Sequence, residues 1–171
     1  MVMLSVDPGT VTIGIAVWDI DPNTLAIRNI ITYTPYVNKD LNMEHRLFYI
    51  RNLFINIVEE HQPYMIAHEN AFLHRFRPMA YGPLYTIISH LREAFFNNFG
   101  MYNVYGYSPK SIKMNMIKGN ADKDDMYLAV SSNKELSKYV NQYTDEHQID
   151  AIAIGYTHLI NIRKTPELLI T

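Results

Sequence analysis

Carboxylates end two of the apolar segments of this sequence. Asp7 ends the run MLSVD, directly before a Pro-Gly turn, and Glu69 ends the run YMIAHE. Further along, His147 precedes Asp150 by three residues, a spacing that places both side chains on one face of a helix. A buried strand accommodates a carboxylate only when it is paired or binds a metal ion. Two or three carboxylates with a histidine form a hard, oxygen-rich site of the kind that holds Mg²⁺ or Mn²⁺, so the sequence predicts a divalent-metal site.

Each of these residues also has a plainer interpretation. An aspartate before Pro-Gly, such as Asp7, is a common turn former, and Glu69 is compatible with an exposed strand end. His147 and Asp150 would also suit the solvated first turn of a helix, where the helix dipole favours acidic side chains. Glu146 lies four residues before Asp150, so it shares that helix face and competes with His147. Spacing alone leaves the choice open.

Strands and helices that must position these residues alternate along the chain. Apolar, β-branched runs bounded by turn residues predict strands, and apolar residues at helical spacing predict amphipathic helices. Strands are expected within 3–17, which an Asp-Pro-Gly-Thr turn divides in two, and at 25–33, 64–68 and 102–107. Helices are expected at 42–60, 84–97, 109–116, 123–131 and from 144 or 145 to 158. This order predicts an α/β domain with a mixed sheet.

The composition is that of one globular domain, 1–171. Of the 171 residues, 48% are hydrophobic and 19% charged, which excludes a disordered or collagen-like chain. No apolar run reaches the roughly 18 residues of a membrane span, and MVMLSVD lacks the basic region of a signal peptide. The absence of cysteine excludes disulfides and thiolate metal sites. We expect a cytoplasmic protein without membrane contact. Because the net charge is −2, nucleic-acid binding would need local basic patches.

Five motifs occur in an order that resembles the RuvC family of Holliday junction resolvases, within the ribonuclease-H-like superfamily. They are LSVDPGTVTIGIAVWD at 4–19, HRLFYIRNLFINIVEEHQPYMIAHENAF at 45–72, YSPKSIK at 107–113, GNADK at 119–123 and HQIDAIAIGYTH at 147–158. The resemblance covers nearly the whole chain. It implies a ribonuclease-H-like fold with a five-stranded mixed sheet flanked by helices. It also implies a homodimeric endonuclease that resolves four-way DNA junctions by paired symmetric nicks, leaving 5′-phosphate and 3′-hydroxyl ends; forked or otherwise branched DNA is a further expected substrate.

The resemblance assigns roles to the site residues as well. Asp7 corresponds to the acid of the first strand, which would bridge two Mg²⁺ or Mn²⁺ ions. Glu69 corresponds to the acid of a later strand, and Asp150 to the last acid, on the final helix. Three residues before that last acid, many members carry aspartate and some carry histidine, which favours His147 over Glu146. His147 would be either a metal ligand or the acceptor of a proton from the attacking water.

Several cations and one aromatic residue match positions that contact DNA in the family. Lys113 and Lys123 correspond to two lysines that contribute to DNA binding or catalysis. Phe72, three residues after Glu69, corresponds to an aromatic residue that stacks at the opened junction, where an unpaired base offers its face to a ring. Further candidate contacts are Lys110, Lys118 and Arg75, with Arg77 and Arg92 near the second helix. The alternatives are lysines that only solvate the surface and a phenylalanine that belongs to the core.

The helix predicted at 84–97 carries many apolar residues, which are Leu84, Ile87, Ile88, Leu91, Phe95 and Phe96. They exceed what one buried helix face of a monomer needs, so this helix is the predicted homodimer interface. A junction with two equivalent strands also favours a symmetric dimer, because each subunit has one site.

Two other functions compete with the endonuclease. The Asp-x-Gly-Thr motif followed by Gly14 also resembles the first phosphate loop of actin-like and sugar-kinase phosphotransferases. That fold normally needs two lobes, which 171 residues cannot easily hold. A catalytically silent junction-binding protein is the other alternative, although all four ligand positions carry competent residues. The small size, the many Asn and Tyr residues and a charge balance less basic than that of a typical DNA-binding enzyme resemble a bacteriophage member of the family, which would act in the host cytoplasm.

Overall fold

A five-stranded mixed sheet forms the centre of the fold. The computed structural model describes residues 1–72, 78–100 and 103–169. The strands are β1 Val2–Asp7, β2 Gly14–Ile20, β3 Ile27–Tyr33, β4 Met65–Glu69 and β5 Val104–Tyr107, in the spatial order β3-β2-β1-β4-β5. β1 and β3 are antiparallel to β2, whereas the β1–β4 and β4–β5 pairs are parallel. The predicted α/β architecture with a mixed sheet is confirmed.

Five α-helices flank this sheet in the part of the chain that the structure describes. They are α1 Met43–His61, α2 Tyr81–Phe99, α3 Pro109–Met116, α4 Lys123–Ser132 and α5 Glu146–Lys164. Side-chain caps define several starts: Asn42 accepts from the His45 amide at α1, and Ser108 accepts from the Ser111 amide at α3. None of the described helices is both long enough and apolar enough to cross a bilayer.

Two helix ends differ from the sequence-based prediction. α2 begins three residues earlier, because Pro83 lies in its first turn, where a missing backbone N–H costs no hydrogen bond. α5 continues six residues beyond His158, because Leu159 and Ile162 extend its buried face. Both differences lengthen a helix and leave its position in the chain order unchanged.

The two faces of the sheet carry separate apolar layers. On one face Met3, Met65 and Ala67 pack in a cluster with α5 residues that include Ile152 and Leu159. On the other face Leu4, Val6 and Ile66 pack in a cluster with residues of α1 and α2. Because side chains alternate along a strand, Asp7 and Glu69 belong to the face that α5 covers. The candidate functional residues therefore lie between the carboxyl ends of β1 and β4 and helix α5.

The apolar residues of α2 lie mostly inside the chain. Ile87, Ile88, Leu91 and Phe95 are buried, and all but Ile88 belong to the cluster with α1. These four residues are therefore not part of an exposed surface, and the prediction that this helix forms the dimer interface stays a prediction. The sequence pattern identified an apolar helix, but α1 covers most of it.

Candidate active site

Asp7 and Glu69 lie at the same edge of the sheet because they end two parallel neighbouring strands. β1 and β4 pair in register from Met3 opposite Met65 to Val6 opposite His68, and each strand then ends in its acid one residue later. Parallel strands bring their carboxyl ends to the same edge. The two predicted carboxylates are thus adjacent, on the α5 side of the sheet.

The start of α5 brings two more predicted residues to this edge. Asp145 caps the helix: its carboxylate accepts from the Gln148 amide, and the Gln148 side chain accepts from the Asp145 amide. This capping box fixes the rotation of the first turn. His147 Nδ1 then lies 3.2 Å from Asp7 Oδ2, and Asp150, one turn on, lies within electrostatic range of Asp7.

Gly14 permits this close approach of α5 to the sheet. It is paired with Asp7 at the start of β2. A Cβ at this position would overlap the His147 carbonyl oxygen and would lie 2.6 Å from the His147 carbonyl carbon and 3.2 Å from Asp7 Cβ. The sequence analysis noted Gly14 only as part of a phosphate-loop resemblance. Its role here is to leave room for the helix that carries the second half of the site.

The carboxylates of this cluster share an excess of negative charge. Burial, followed by the charges of Asp7 and Asp150, raises the pKa of Glu69 from 4.5 to about 8, and Lys113 opposes this only in part. Burial and the charge of Asp7 likewise raise the pKa of Asp150 from 3.8 to about 7. The hydrogen bond to Asp7 raises the pKa of His147, and burial acts in the opposite direction. The three acids therefore need a cation that the nearby side chains do not fully supply.

This charge excess fits a divalent cation. Three carboxylates and an imidazole that can be neutral are the donors that Mg²⁺ or Mn²⁺ accepts, and Asp7, Glu69, His147 and Asp150 would be the ligands. Within the described residues no three His, Asp or Glu side chains already stand as a set that could hold an ion. Binding an ion here would therefore require the side chains of the cluster to rotate.

Comparison with known proteins identifies the family likeness of this fold and site. No protein-family model matches the sequence. The crossover junction endodeoxyribonuclease RuvC of Rickettsia rickettsii (strain Sheila Smith) is 26% identical over 163 residues, which cover 94% of this chain and 98% of that protein. The solved structure of Thermus thermophilus RuvC covers 96% of both chains with a TM-score of 0.77 and 23% identity. The chain is therefore similar to RuvC proteins in sequence and in fold. Thermus thermophilus RuvC in complex with a Holliday junction substrate matches equally well, with a TM-score of 0.77.

The ribonuclease-H-like fold expected from the five motifs is confirmed by these structural neighbours. Their identity to this chain is 23% and 22%, so what they establish is the fold. The roles of individual residues in the RuvC-like chain rest on its own geometry.

That geometry separates His147 from Glu146, which spacing alone could not do. The imidazole of His147 faces Asp7, whereas the Glu146 carboxylate accepts a hydrogen bond from the Lys123 ammonium. Glu146 Oε1 also lies 3.8 Å from His147 Nε2. The RuvC-like chain therefore presents His147 to the acid cluster and turns Glu146 towards a basic residue on α4.

The predicted lysines have different surroundings. Lys113 donates to the Ala121 carbonyl oxygen at 2.7 Å, and its charge reaches Glu69. Lys110 and Lys113 line one recess together with Phe72. Lys118, in contrast, pairs with Asp125 at 3.0 Å. Lys110, Lys113 and Lys123 are thus close to the acid cluster or to its flanking recesses, while Lys118 is held by α4.

Phe72 lies on the surface next to Glu69. Phe72 is 51% exposed, so the alternative that it is a core residue is wrong. Phe72 and Glu69 line a recess of about 190 Å³, which Leu84 and Ala80 close on the α2 side. Arg75 and Arg77 lie outside the described residues.

His68 is a functional neighbour that the sequence analysis missed. It is fully buried beside Glu69, and burial, followed by the charge of Arg92, lowers the pKa of His68 to about 4. The ring is therefore neutral: Nδ1–H donates to the Glu69 carbonyl oxygen at 2.9 Å, and Nε2 accepts from Arg92 Nη2 at 3.3 Å. The histidine ties the backbone of Glu69 to α2. Its position before an acid in an apolar strand was the one signal that the sequence offered.

Proposed function

We propose that this RuvC-like chain is a divalent-metal-dependent endodeoxyribonuclease that resolves four-way (Holliday) junctions. The observation that carries the proposal is the cluster of Asp7, Glu69, His147 and Asp150 with its uncompensated negative charge. Relatives of the chain are named crossover junction endodeoxyribonucleases, and one solved neighbour is RuvC with a Holliday junction substrate. The expected reaction is a pair of symmetric nicks that leave 5′-phosphate and 3′-hydroxyl ends, and forked DNA is a second expected substrate. The protein would act in the cytoplasm, where its DNA substrate lies.

Asp7, Glu69, His147 and Asp150 would hold two Mg²⁺ or Mn²⁺ ions. Two such ions supply an activated water and stabilise the leaving 3′ oxygen during an in-line displacement at phosphorus. Asp7 ends β1, which lies between β2 and β4, and so is central among the ligands. Glu69 and Asp150 flank it from β4 and α5. The hydrogen bond to Asp7 would orient the ring of His147. The other ring nitrogen, Nε2, would then bind a metal ion or accept a proton.

DNA contacts would flank the acids on both sides. Lys113 and Lys110 lie towards the Glu69 side and Lys123 towards the Asp150 side, so a strand crossing the cluster would meet cations at each end. Such contacts fix the register of the backbone without reading its sequence. The exposed ring of Phe72 offers a stacking platform for a base unpaired at the junction. Arg75 and Lys118 stay predicted contacts of the same kind.

Substitution of Asp7 tests the proposal. Asp7→Asn keeps the size of the side chain but removes one metal-binding charge, so nicking of a four-way junction in Mg²⁺ should fall by roughly 100-fold or more. Binding of the junction should change little. The measurement is a denaturing gel that maps cuts on junction, fork and linear duplex, in Mg²⁺ and in Mn²⁺.

A matched control is Asp40→Asn, which neutralises an exposed aspartate in the loop before α1 and should cut normally. Retention of more than a few per cent of the wild-type rate by Asp7→Asn would remove Asp7 from the site. Nucleotide hydrolysis without DNA, in the absence of nicking, would favour the phosphotransferase instead. Junction binding by a wild-type chain that never cuts would indicate the catalytically silent protein.

A further inference from the structure

Lys123 and Glu146 form an ion pair at the mouth of the candidate active site. Lys123 is the first residue of α4, and Glu146 is the first residue of α5, next to His147. The Lys123 ammonium donates to Glu146 Oε2. The pair raises the pKa of Lys123, and the charges of Asp150 and Asp7 act in the same direction, which places this ammonium in the field of the acid cluster.

The Lys123–Glu146 ion pair is accessible enough for a DNA phosphate to take the place of Glu146. The side chains of Lys123 and Glu146 are 75% and 49% exposed, and ion pairs this accessible contribute little net stability. A DNA phosphate offers the same kind of partner to an ammonium as a carboxylate does. The Glu146 carboxylate also has a second neighbour to turn to, because Oε1 lies 3.8 Å from His147 Nε2.

A recess beside the pair leads to the acid cluster. It has a volume of about 230 Å³ and is lined by Lys123, Asp124, Tyr127, Glu146, Ile149 and Asp150. A strand that reaches Asp150 from this side therefore passes Lys123 first. Among the described residues, Lys123 is the only cation that lines this recess, and Glu146 neutralises it.

We propose that Glu146 is an internal substitute for a DNA phosphate, which neutralises Lys123 in the free protein and is displaced from it by the bound strand. The inference rests on the proposed function and adds a regulatory contact to it. Each strand that binds must break the Lys123–Glu146 pair and leaves a free carboxylate beside the phosphates. Glu146 thereby weakens the binding of DNA that makes no other contacts with the protein. It also reduces the favourable neutralisation of phosphate charge that Lys123 would otherwise contribute to binding.

Glu146→Gln tests this by freeing Lys123 while keeping the shape of its partner. Junction affinity should rise several-fold at low salt. The slope of log K against log salt concentration should become more negative by roughly 0.9, because one more phosphate is neutralised without a compensating free carboxylate. The measurement is fluorescence anisotropy of a labelled four-way junction over a series of KCl concentrations, without divalent ions, so that no cutting occurs.

Two further variants make the result specific. Asp124→Asn removes one negative charge from the same recess without touching the partner of Lys123, and it should change the slope much less. The double variant Lys123→Gln with Glu146→Gln should lose the gain in slope. An equal effect of Asp124→Asn, or a gain that survives in the double variant, would overturn the proposal. A wild-type chain that binds no junction would contradict the proposed function itself, whereas normal binding left unchanged by Glu146→Gln would contradict only the role of Glu146.

Discussion

At the scale of single residues, the surroundings of Glu69 and Asp150 disfavour the ionised form of each carboxyl group. The pKa of Glu69 is raised to about 8 and that of Asp150 to about 7, each mainly by burial. The folded state therefore binds these protons more tightly than the unfolded state, in which the values are near 4.5 and 3.8. The contribution of these two acids to the stability of the metal-free protein should therefore fall as pH rises from about 4 to 8, the reverse of the usual effect of a paired carboxylate.

Glu69→Gln should remove most of this penalty. In metal-free buffer at pH 8 the variant should unfold at a temperature a few degrees above wild type, and the difference should vanish towards pH 5, where the wild-type acid is protonated in the folded state. The variant should also be unable to cut DNA, because a ligand is lost. Thermal unfolding followed by circular dichroism at several pH values measures the effect.

The comparison needs a control and a metal arm. Glu59→Gln, an exposed acid near the end of α1, should show no such pH-dependent gain. Added Mg²⁺ should stabilise wild type more at pH 8 than at pH 5, because binding requires ionised ligands. A Glu69→Gln variant no more stable than wild type at pH 8 would mean that Glu69 is not buried against Asp7 and Asp150.

Residue types and spacing were enough to propose Asp7, Glu69 and Asp150, because a buried carboxylate must be paired or bind a metal ion, but they left the choice between His147 and Glu146 open. They could not find His68, Gly14 or the partner of Glu146. Each of those depends on which atoms two distant elements bring together: β4 with α2 for His68, and β2 with α5 for Gly14. The family resemblance chose His147 over Glu146, and the hydrogen bond to Asp7 now gives that choice a geometric reason.

At the scale of elements, α5 determines the site because it carries His147 and Asp150 in its first turns. Its position on the sheet is fixed by a buried polar chain: Trp18 Nε1 donates to Ser5 Oγ at 2.8 Å, and Ser5 Oγ donates to the Ala151 carbonyl oxygen at 2.7 Å. Gly155 lies directly over the Trp18 indole, where a Cβ would come within 2.5 Å of Cζ2. A change at this contact should move the helix and, with it, two of the four proposed ligands, His147 and Asp150.

Gly155→Ala should therefore destabilise the protein and reduce cutting together. Overpacking costs about 1–3 kcal/mol, which exceeds the roughly 1 kcal/mol of helix propensity that alanine gains over glycine. Gly82→Ala is the matched control, because it makes the same change in α2 where no atom of the described residues lies within 4 Å of the new Cβ, and it should stabilise slightly. Urea unfolding and junction cutting measure both effects. A Gly155→Ala variant as stable and as active as Gly82→Ala would contradict this account of how α5 is seated.

The elements themselves were largely predictable, since their boundaries carry local signals. The predicted starts of α1, α3 and α4 lie within one residue of those in the structure, where Asn42, Ser108 and Asp122 cap the helices. The early start of α2 was missed because Pro83 is also a residue of turns. The end of α5 was missed because its continuation depends on packing in the core, which no local pattern reports.

At the scale of the whole molecule, the apolar residues of α2 were assigned to the wrong environment for a physical reason. Hydrophobic spacing shows that a helix face is apolar but not which surface covers it, and α1 buries most of that face within the chain. The exposed side of α2 presents a different stripe at one-turn spacing, which consists of Tyr81, Tyr85, Ser89, Arg92 and Phe96. The rings of Tyr81 and Tyr85 stack with centroids 6.1 Å apart.

This exposed stripe is our revised candidate for the homodimer interface. A four-way junction presents two equivalent strands, and each chain has one acid cluster, so paired nicks require two chains related by a twofold axis. A twofold interface joins the same patch of both subunits, and tyrosine and arginine are enriched in such surfaces. Tyr85, which stacks on Tyr81 within this stripe, should therefore meet the partner's copy of the stripe.

Tyr85→Glu should convert the dimer into monomers, because it places like charges opposite each other across the twofold axis. Sedimentation velocity at micromolar concentration should give a dimer for wild type and a monomer for the variant, and on a junction the variant should make single rather than paired nicks. Tyr143→Glu, at a more exposed tyrosine in the loop before α5, should remain dimeric. If Tyr85→Glu also remains dimeric, the interface lies on another face. A monomeric wild type that still cuts in pairs would contradict the requirement for two chains, because two coordinated cuts would then come from a single acid cluster.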